Sequence, residues 1–302
     1  MSELSTVQRR AMKTNIDIAL NPPEHVAYQH TVLCQTVLPY RNPGDDVHEW
    51  QREQGRTSLL IEAGRARHPR TSEWIKLGLP YGPKPRLILA YLNAEALRTG
   101  APDVEVEETL TAFVRRIQDP LRSGKAGPNG AEIKAFKEQL ARLSAATIRM
   151  AVTSRDRAIQ VDTKIVTAFD LWFQKDERQR VLWPSIIRLS LDYYKSLQDH
   201  AVPLDERALA ALAHNAMALD TYAWLAQRLH RIRTQSSQFI PWPSIRDQFG
   251  QGYTRVRKFR EVFLQALRLV HSQYETARIQ IDAKGITLRH SPPPVLNRHL
   301  LA

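Results

Sequence analysis

Basic side chains that could contact a nucleic acid follow the turn Gly250-Gln251-Gly252. They are Arg255, Arg257, Lys258 and Arg268. The apolar residues that recur on the opposite side are Val256, Phe259, Phe263, Leu267 and Val270. This spacing, at about 100° per residue, predicts an amphipathic helix from about Thr254 to Tyr274. Arginine can donate two hydrogen bonds to guanine O6 and N7, and either cation can neutralise a phosphate. The pattern therefore predicts a helix that packs by its apolar side and enters the DNA major groove with its cationic side.

A charged hairpin is predicted directly after this helix. Two alternating strands, Ala277 to Ile281 and Ile286 to His290, flank the tip Asp282-Ala283-Lys284-Gly285. The outward cations of this hairpin are Arg278, Lys284 and Arg289. Ser244 to His290 contains nine Lys or Arg and four Asp or Glu, a net charge of +5. A solvated amphipathic helix whose charges only confer solubility is the alternative. The short helix and glycine turn before it, and the hairpin after it, favour DNA binding.

The same element order is predicted once earlier in the chain. Three helices between residues 82 and 145 precede the strands Thr147–Thr153 and Ala158–Val166. The basic residues of the third helix and of the hairpin tip are Lys134, Lys137, Arg142, Arg155 and Arg157. Because Glu138 lies among them, this surface is less basic than the later one. We interpret it either as a weaker DNA site or as a surface that forms a dimer.

This order predicts a mainly α fold with β-hairpin wings, of the α+β class, built as two tandem winged helix-turn-helix domains. We expect an N-terminal extension with short strands over residues 1–78 and a first winged-helix domain over 79–180. The second winged-helix domain is expected over 181–302, ending in a Pro-rich tail. The residues expected to pack the extension against the rest are Trp50, Trp74 and Tyr81.

The composition sets the broad class of protein. The chain has 302 residues, of which 43% are hydrophobic and 25% charged, so packed domains are expected. A net charge of +12 indicates a polyanionic partner. A single cysteine, Cys34, excludes an internal disulfide and a cysteine-based zinc cluster, and its apolar neighbours predict a core position. Met1 to Arg10 lack the apolar stretch of a signal peptide, and no apolar run approaches about 18 residues. A cytoplasmic protein, associated with nucleoid or plasmid, is predicted.

Motifs of the common enzyme classes are incomplete. Gly124-Lys125-Ala126 lacks the spacing and the hydroxyl of a phosphate-binding loop. His48-Glu49-Trp50 lacks the second histidine of a zinc protease. Tyr193-Tyr194 is interpreted as packing, since no paired histidines accompany it that could hold the metal of a DNA-nicking enzyme. We predict no catalytic residue, no metal and no cofactor, and therefore no enzyme.

Several segments resemble the plasmid-encoded RepA replication initiators, a winged-helix family. They follow in order over most of residues 79–295, and they are Leu79 to Arg86, Phe169 to Phe173, Leu182 to Ser185, Val202 to Asp205, Leu219 to Leu225, Phe249 to Tyr253 and Leu288 to Pro292. The resemblance implies binding to repeated sites (iterons) in an origin, opening of an adjacent AT-rich region, and recruitment of the host initiator and replicative helicase. It also implies a possible homodimer that represses its own promoter.

A transcriptional regulator with the same two domains is the alternative function. Tandem repeats of about 20 base pairs beside an AT-rich stretch favour an initiator, whereas a single palindrome in the promoter favours a repressor.

Overall fold

The computed structural model describes residues 6–67, 71–107, 109–118, 127–153, 158–168 and 186–295. It mixes helices with antiparallel sheets, which confirms the α+β class. The chain folds as two units: unit 1 comprises Met1–Val37 with Val202–Ala302, and unit 2 comprises Leu38–Ala201. Within the described ranges, no helix combines the length and the apolar character that crossing a membrane requires.

Unit 1 begins with a helix, a strand and a short helix. These are α1 (Thr6–Leu20), β1 (Val26–His30) and α2 (Thr31–Gln35). The alternating stretch from Tyr28 to Pro39 predicts a strand of the N-terminal extension. Instead, the His30 imidazole accepts a hydrogen bond from Val32 N at 3.2 Å and caps the start of α2. Cys34 is buried in α2, and this burial raises the pKa of its thiol, as expected of a core residue.

Unit 2 contains three sheets and four helices in its described part. Its first elements are β2 (Glu49–Gln54), β3 (Thr57–Glu62), β4 (Arg65–Arg67), β5 (Trp74–Lys76), α3 (Pro83–Thr99), β6 (Asp103–Glu105) and α4 (Leu110–Gln118). The later ones are α5 (Gly130–Ala145), β7 (Thr147–Thr153), β8 (Ala158–Thr163), β9 (Val166–Ala168), β10 (Ile186–Leu189) and α6 (Leu191–His200). The sheets have the orders β2-β3-β7-β8, β4-β5 and β6-β10-β9.

Helix ends in unit 2 follow from local chemistry. Pro83 and Pro85 stand in the first turn of α3, where a missing N–H costs nothing, and Gly100 ends the helix in the left-handed conformation. Asn129 and Glu132 form a reciprocal capping box at the start of α5. These signals explain why the predicted helices lie within a few residues of the observed ones.

The C-terminal part of unit 1 carries most of its core. Its elements are β11 (Ala201–Asp205), α7 (Glu206–Leu212), α8 (Ala216–Arg228), a 3-10 turn (Leu229–Arg231), β12 (Ser237–Pro241), α9 (Trp242–Phe249), α10 (Val256–His271), β13 (Ile279–Ile281) and β14 (Gly285–Arg289). The apolar stripe from Leu209 to Leu229 predicts a helical region from about Glu206 to Arg231. The structure divides this region into α7 and α8, because the Asn215 side chain accepts a hydrogen bond from Ala218 N at 3.0 Å and caps α8. The strand β12 was not predicted. It pairs with β14 and extends the predicted hairpin to a three-stranded sheet with the order β12-β14-β13.

The predicted domain boundaries differ from the observed units. The strands predicted for the extension, β2 and β3, form one sheet with β7, in which Leu59 lies opposite Met150 and Ile61 opposite Ile148. The predicted first wing, β7 with β8, is a real hairpin, but it belongs to that sheet. The strand β6, which precedes α4, belongs to a different sheet and pairs with β10. Trp74 was expected to pack, yet it lies 66% exposed on β5.

A buried ion pair attaches α1 to the rest of unit 1. The guanidinium of Arg207 donates to the Asp205 carboxylate at 2.7 and 3.0 Å and to the Asp17 carboxylate at 2.8 Å. It also donates to the carbonyl of Asn21 at 3.1 Å. Arg207 and Asp205 are both buried, so each charge depends on the other.

Replacement of Arg207 by Met should lower the free energy of unfolding by about 3–5 kcal/mol, because Asp205 is left as an uncompensated buried charge. Urea unfolding monitored by circular dichroism measures the change. Arg98→Met is the matched control, since it removes an exposed ion pair with Glu95 worth about 0–1 kcal/mol. Equal losses in the two variants would contradict a structural role for Arg207.

Candidate nucleic-acid interface

A cluster of aromatic rings positions α10 against α8 and α9. The ring of Phe263 lies 5.4 Å from Phe249, 5.6 Å from Phe259 and 6.2 Å from Trp242 between centroids. Phe249 in turn meets Trp224 edge-to-face at 5.3 Å. Such pairs stabilise beyond the area they bury, and their geometry restricts how the helices cross. The apolar side of α10 therefore packs as the sequence predicts, from Phe259 onward.

The start of α10 lacks the usual stabilising groups. Arg255 occupies the N-cap position, and its side chain makes no capping hydrogen bond. The first turn contains no acidic residue, while Arg255, Arg257 and Lys258 are all exposed there. Positive charge at a helix N-terminus is unfavourable, because the helix dipole and the unpaired N–H groups already present positive charge. An external anion would relieve this repulsion.

The remaining cationic face of α10 is also open to solvent. Arg268 and Gln265 are exposed further along the helix. Lys258 forms an i,i+3 ion pair with Glu261 at 3.1 Å, but both side chains are more than half exposed, so the pair is weak. Val256 was expected on the apolar face and is 43% exposed, since it precedes the aromatic cluster by one turn.

An arginine that was not predicted from the sequence connects α10 to the hairpin. The guanidinium of Arg260 donates to the carbonyls of Asp282 at 3.2 Å and Ala283 at 3.5 Å. It also stacks 4.8 Å from the ring centroid of Trp242, whose indole N–H donates to the same Asp282 carbonyl at 3.2 Å. The basic helix and the hairpin tip are thus held next to each other.

The hairpin carries its cations outward, as predicted. They are Arg278, Lys284 and Arg289, and all three are exposed. The Asp282 carboxylate accepts from the backbone N–H groups of Lys284 at 2.6 Å and Gly285 at 2.9 Å, which closes the tip. A Cβ at Gly285 would stand 2.2 Å from the carbonyl oxygen of Ile240, so only glycine permits β12 and β14 to pair this closely.

The corresponding surface of unit 2 is different. Of the three cations predicted on α5, Lys134 is exposed and Lys137 is half-buried, and burial lowers the pKa of Lys137. Arg142 donates to the carbonyl of Leu79 at 3.2 Å, pairs with Glu138 at 2.9 Å and stacks 5.1 Å from the Tyr81 ring. Arg142 is therefore a structural residue rather than a groove contact. The predicted tip cations Arg155 and Arg157 lie outside the described residues.

The tyrosine pair of α6 packs, as predicted. Tyr193 is fully buried and donates its hydroxyl to Asn93 Oδ1 at 2.9 Å, while Tyr194 accepts from Gln198 Nε2 at 3.2 Å. A buried, hydrogen-bonded hydroxyl of this kind stabilises the contact between α6 and α3.

These features define an α+β protein whose unit 1 exposes a basic helix beside a basic hairpin. Over residues 79–244, which is more than half of its length, the chain matches the family described as plasmid encoded RepA protein. The chain belongs to this family, as the resemblance in its sequence predicts, and this membership supports a role in the initiation of plasmid replication.

Two solved structures also match. The crystal structure of SeMet derivatives of domain 2 and domain 3 of RctB has a TM-score of 0.47 and 9% sequence identity. The crystal structure of RctB domains 2–3 has a TM-score of 0.46 and 11% identity. Each match covers 92% of this chain and 97% of that chain. No curated protein matches the chain.

Replacement of Arg255 by Ser should raise the free energy of unfolding by about 1 kcal/mol. The serine supplies an N-cap acceptor and removes a cation from the positive end of the helix dipole. Urea unfolding measures the gain. Arg268→Ser, in the last turn of α10 where a cation is favourable, should instead lower stability. A loss of stability in Arg255→Ser would show that this arginine supports the fold.

Proposed function

We propose that unit 1 is a winged helix-turn-helix domain that binds duplex DNA. In this proposal α10 enters the major groove, and the β13–β14 hairpin is a wing on the phosphate backbone or minor groove. The order β12-β14-β13, next to α8, α9 and α10, supports the winged-helix assignment. The observation that carries the proposal is the uncapped start of α10, where Arg255, Arg257 and Lys258 are all exposed. Helix N-termini bind phosphate, and DNA supplies phosphates on both sides of the groove.

Val256 adds an apolar contact to this surface. Its side chain is 43% exposed in the same turn as Arg257 and Lys258. Apolar groups at such a position contact the methyl group of thymine, while arginine reads guanine. The proposed helix can therefore distinguish base pairs as well as bind phosphates.

Membership of the RepA family supports an initiator that binds repeated origin sites in the cytosol. We propose that binding helps to open the origin and to recruit the host initiator and replicative helicase. The role requires no catalytic residue, metal or cofactor of its own.

Unit 2 is proposed as a second winged helix with a different task. The sheet β6-β10-β9 lies next to α3, α4 and α5. Its strand order matches that of the sheet β12-β14-β13 in unit 1, because in both sheets the strand that comes last in the chain lies in the middle. Because Arg142 is engaged and Lys137 is half-buried, α5 offers less free charge than α10. We propose that unit 2 contributes weaker DNA contacts through Lys134, or a surface for a second copy.

The double substitution Arg257→Ala and Lys258→Ala should weaken binding to origin repeats by roughly 1–3 kcal/mol for each base that the two side chains no longer reach. A mobility-shift assay with the repeats near the gene measures it. Affinity should also fall steeply with salt, and the slope should decrease by about 1 for each phosphate-binding cation removed. The matched control is Arg98→Ala with Lys195→Ala, which removes the same charge from exposed positions in unit 2. Equal weakening in both doubles, or a flat salt series, would contradict the assignment.

A transformation test addresses the initiator role. A plasmid that carries only this gene and its upstream region should replicate, and the Arg257→Ala, Lys258→Ala variant should abolish replication while the control double variant supports it. A wild-type plasmid that fails to replicate, while the protein still represses its own promoter, would indicate a transcriptional regulator instead.

A further inference from the structure

The β4–β5 ribbon has one inner and one outer face. Its register pairs Arg65 with Lys76, Ala66 with Ile75, and Arg67 with Trp74. Alternate residues of a strand point to opposite sides, and residues paired across strands point to the same side. Arg65, Arg67, Trp74 and Lys76 therefore share the outer face, and all four are exposed. Ala66 is buried on the inner face.

Trp74 lies among these cations with most of its ring in solvent, at 66% exposure. A large indole that is left outside the core loses the stabilisation that burial would supply. In this register the small Ala66 takes the inward position, and the tryptophan stands on the basic side. The outer face combines an accessible aromatic surface with positive charge.

Two of the three cations on the outer face are held by partners other than carboxylates. Arg67 Nε donates to the carbonyl of Ser72 at 3.1 Å, and Lys76 Nζ lies 3.1 Å from His48 Nε2. Among the described residues, no carboxylate forms an ion pair with Arg65, Arg67 or Lys76. Their charges are thus available to an external anion.

The ribbon is fixed at its root to the end of α5. A Cβ at Gly64 would stand 1.8 Å from the carbonyl oxygen of Ala145, so the strand passes directly against the helix end. Leu77 N donates to Gly64 O at 3.0 Å, which continues the pairing to the root. Gly78 adopts a positive φ of 55° with the Arg142 guanidinium beside it. The backbone of the ribbon, which carries the outer face, is therefore held in place at the end of α5.

We propose that the outer face of the β4–β5 ribbon binds single-stranded DNA, with Trp74 stacking on one unpaired base and the three cations holding the flanking phosphates. Aromatic stacking together with a basic surface is how proteins bind single strands without reading their sequence. The combination of an exposed indole with cations favours a single strand over a duplex, because the ring face of a base in a duplex is covered by its stacked neighbours.

This site deepens the proposed function and rests on it only in taking DNA as the partner. It lies in unit 2 and shares no residue with α10. Its test can therefore fail while duplex binding by unit 1 stands, and the reverse also holds.

The experiment measures fluorescence anisotropy of a labelled oligo(dT), which forms no duplex, and of a duplex origin repeat, each with the full-length protein. Trp74→Ala should weaken oligo(dT) binding roughly 5- to 150-fold, the effect of losing one base stack. Trp74→Phe should restore most of the affinity because the ring still stacks. Duplex affinity should stay within about twofold, since Trp74 is outside α10 and its wing.

Leu191→Ala is the control for loss of an exposed apolar side chain in unit 2, and it should leave both affinities unchanged. Arg257→Ala with Lys258→Ala should weaken duplex binding and keep oligo(dT) binding. The proposal is overturned if Trp74→Ala binds oligo(dT) as the wild type does, or if the wild type binds duplex but not oligo(dT). It is also overturned if Trp74→Ala weakens both ligands equally. Oligo(dT) binding that depends on Trp74, without specific duplex binding, would support this site and refute the proposed function of unit 1.

Discussion

The packing of aromatic rings around Phe263 is the constraint on which the exposed surface of unit 1 depends. Phe249, Phe259 and Trp242 contact this ring from α9 and α10, and Trp224 extends the cluster into α8. Interiors are close-packed, so a ring that shifts must move its neighbours. The cluster therefore determines which side of α10 faces solvent. Arg260 then transmits this arrangement to the hairpin through the carbonyl of Asp282. Helix and hairpin are thus positioned by one core.

The same packing explains how α10 tolerates an unfavourable start. The helix start has no side-chain cap, and the charges of Arg255, Arg257 and Lys258 each interact unfavourably with the helix dipole by a fraction of about 1 kcal/mol. Tertiary burial of the apolar side outweighs this, because most helix stability in proteins comes from such burial rather than from local propensity. Sequences that violate local rules without structural need do so most often at functional sites. The start of α10 is one such violation.

Sequence periodicity predicted the elements that have a period and missed those that do not. The helices α3, α5, α9 and α10 were predicted within a few residues, since each has an apolar stripe or a clear terminal signal. The short strands β9 and β12 were missed because their partners are distant in the sequence, whereas the equally short β13 and β14 flank a tight turn and were predicted as a hairpin. Trp74 was wrongly expected to pack, because a tryptophan usually buries most of its surface and the sequence does not show which side of the β4–β5 ribbon is buried. The exposed cations of α10 were predicted, whereas Arg260 was missed because its role depends on a hairpin that lies 22 residues away.

The net charge of the chain does not show which cations are available to a partner. Some buried or half-buried arginines of unit 2 donate to backbone carbonyls within that unit: Arg86 donates to Gly82 and Leu38, and Arg142 donates to Leu79. These residues count toward the +12 of the chain but do not face a partner. One three-stranded sheet in each unit has the same strand order, yet the units use their cations differently: unit 2 directs Arg142 of α5 inward, whereas unit 1 leaves the cations at the start of α10 exposed. The same strand order therefore does not bring the same set of exposed charges. The units differ in which of their positive charges remain exposed to solvent, and this depends on how each core packs.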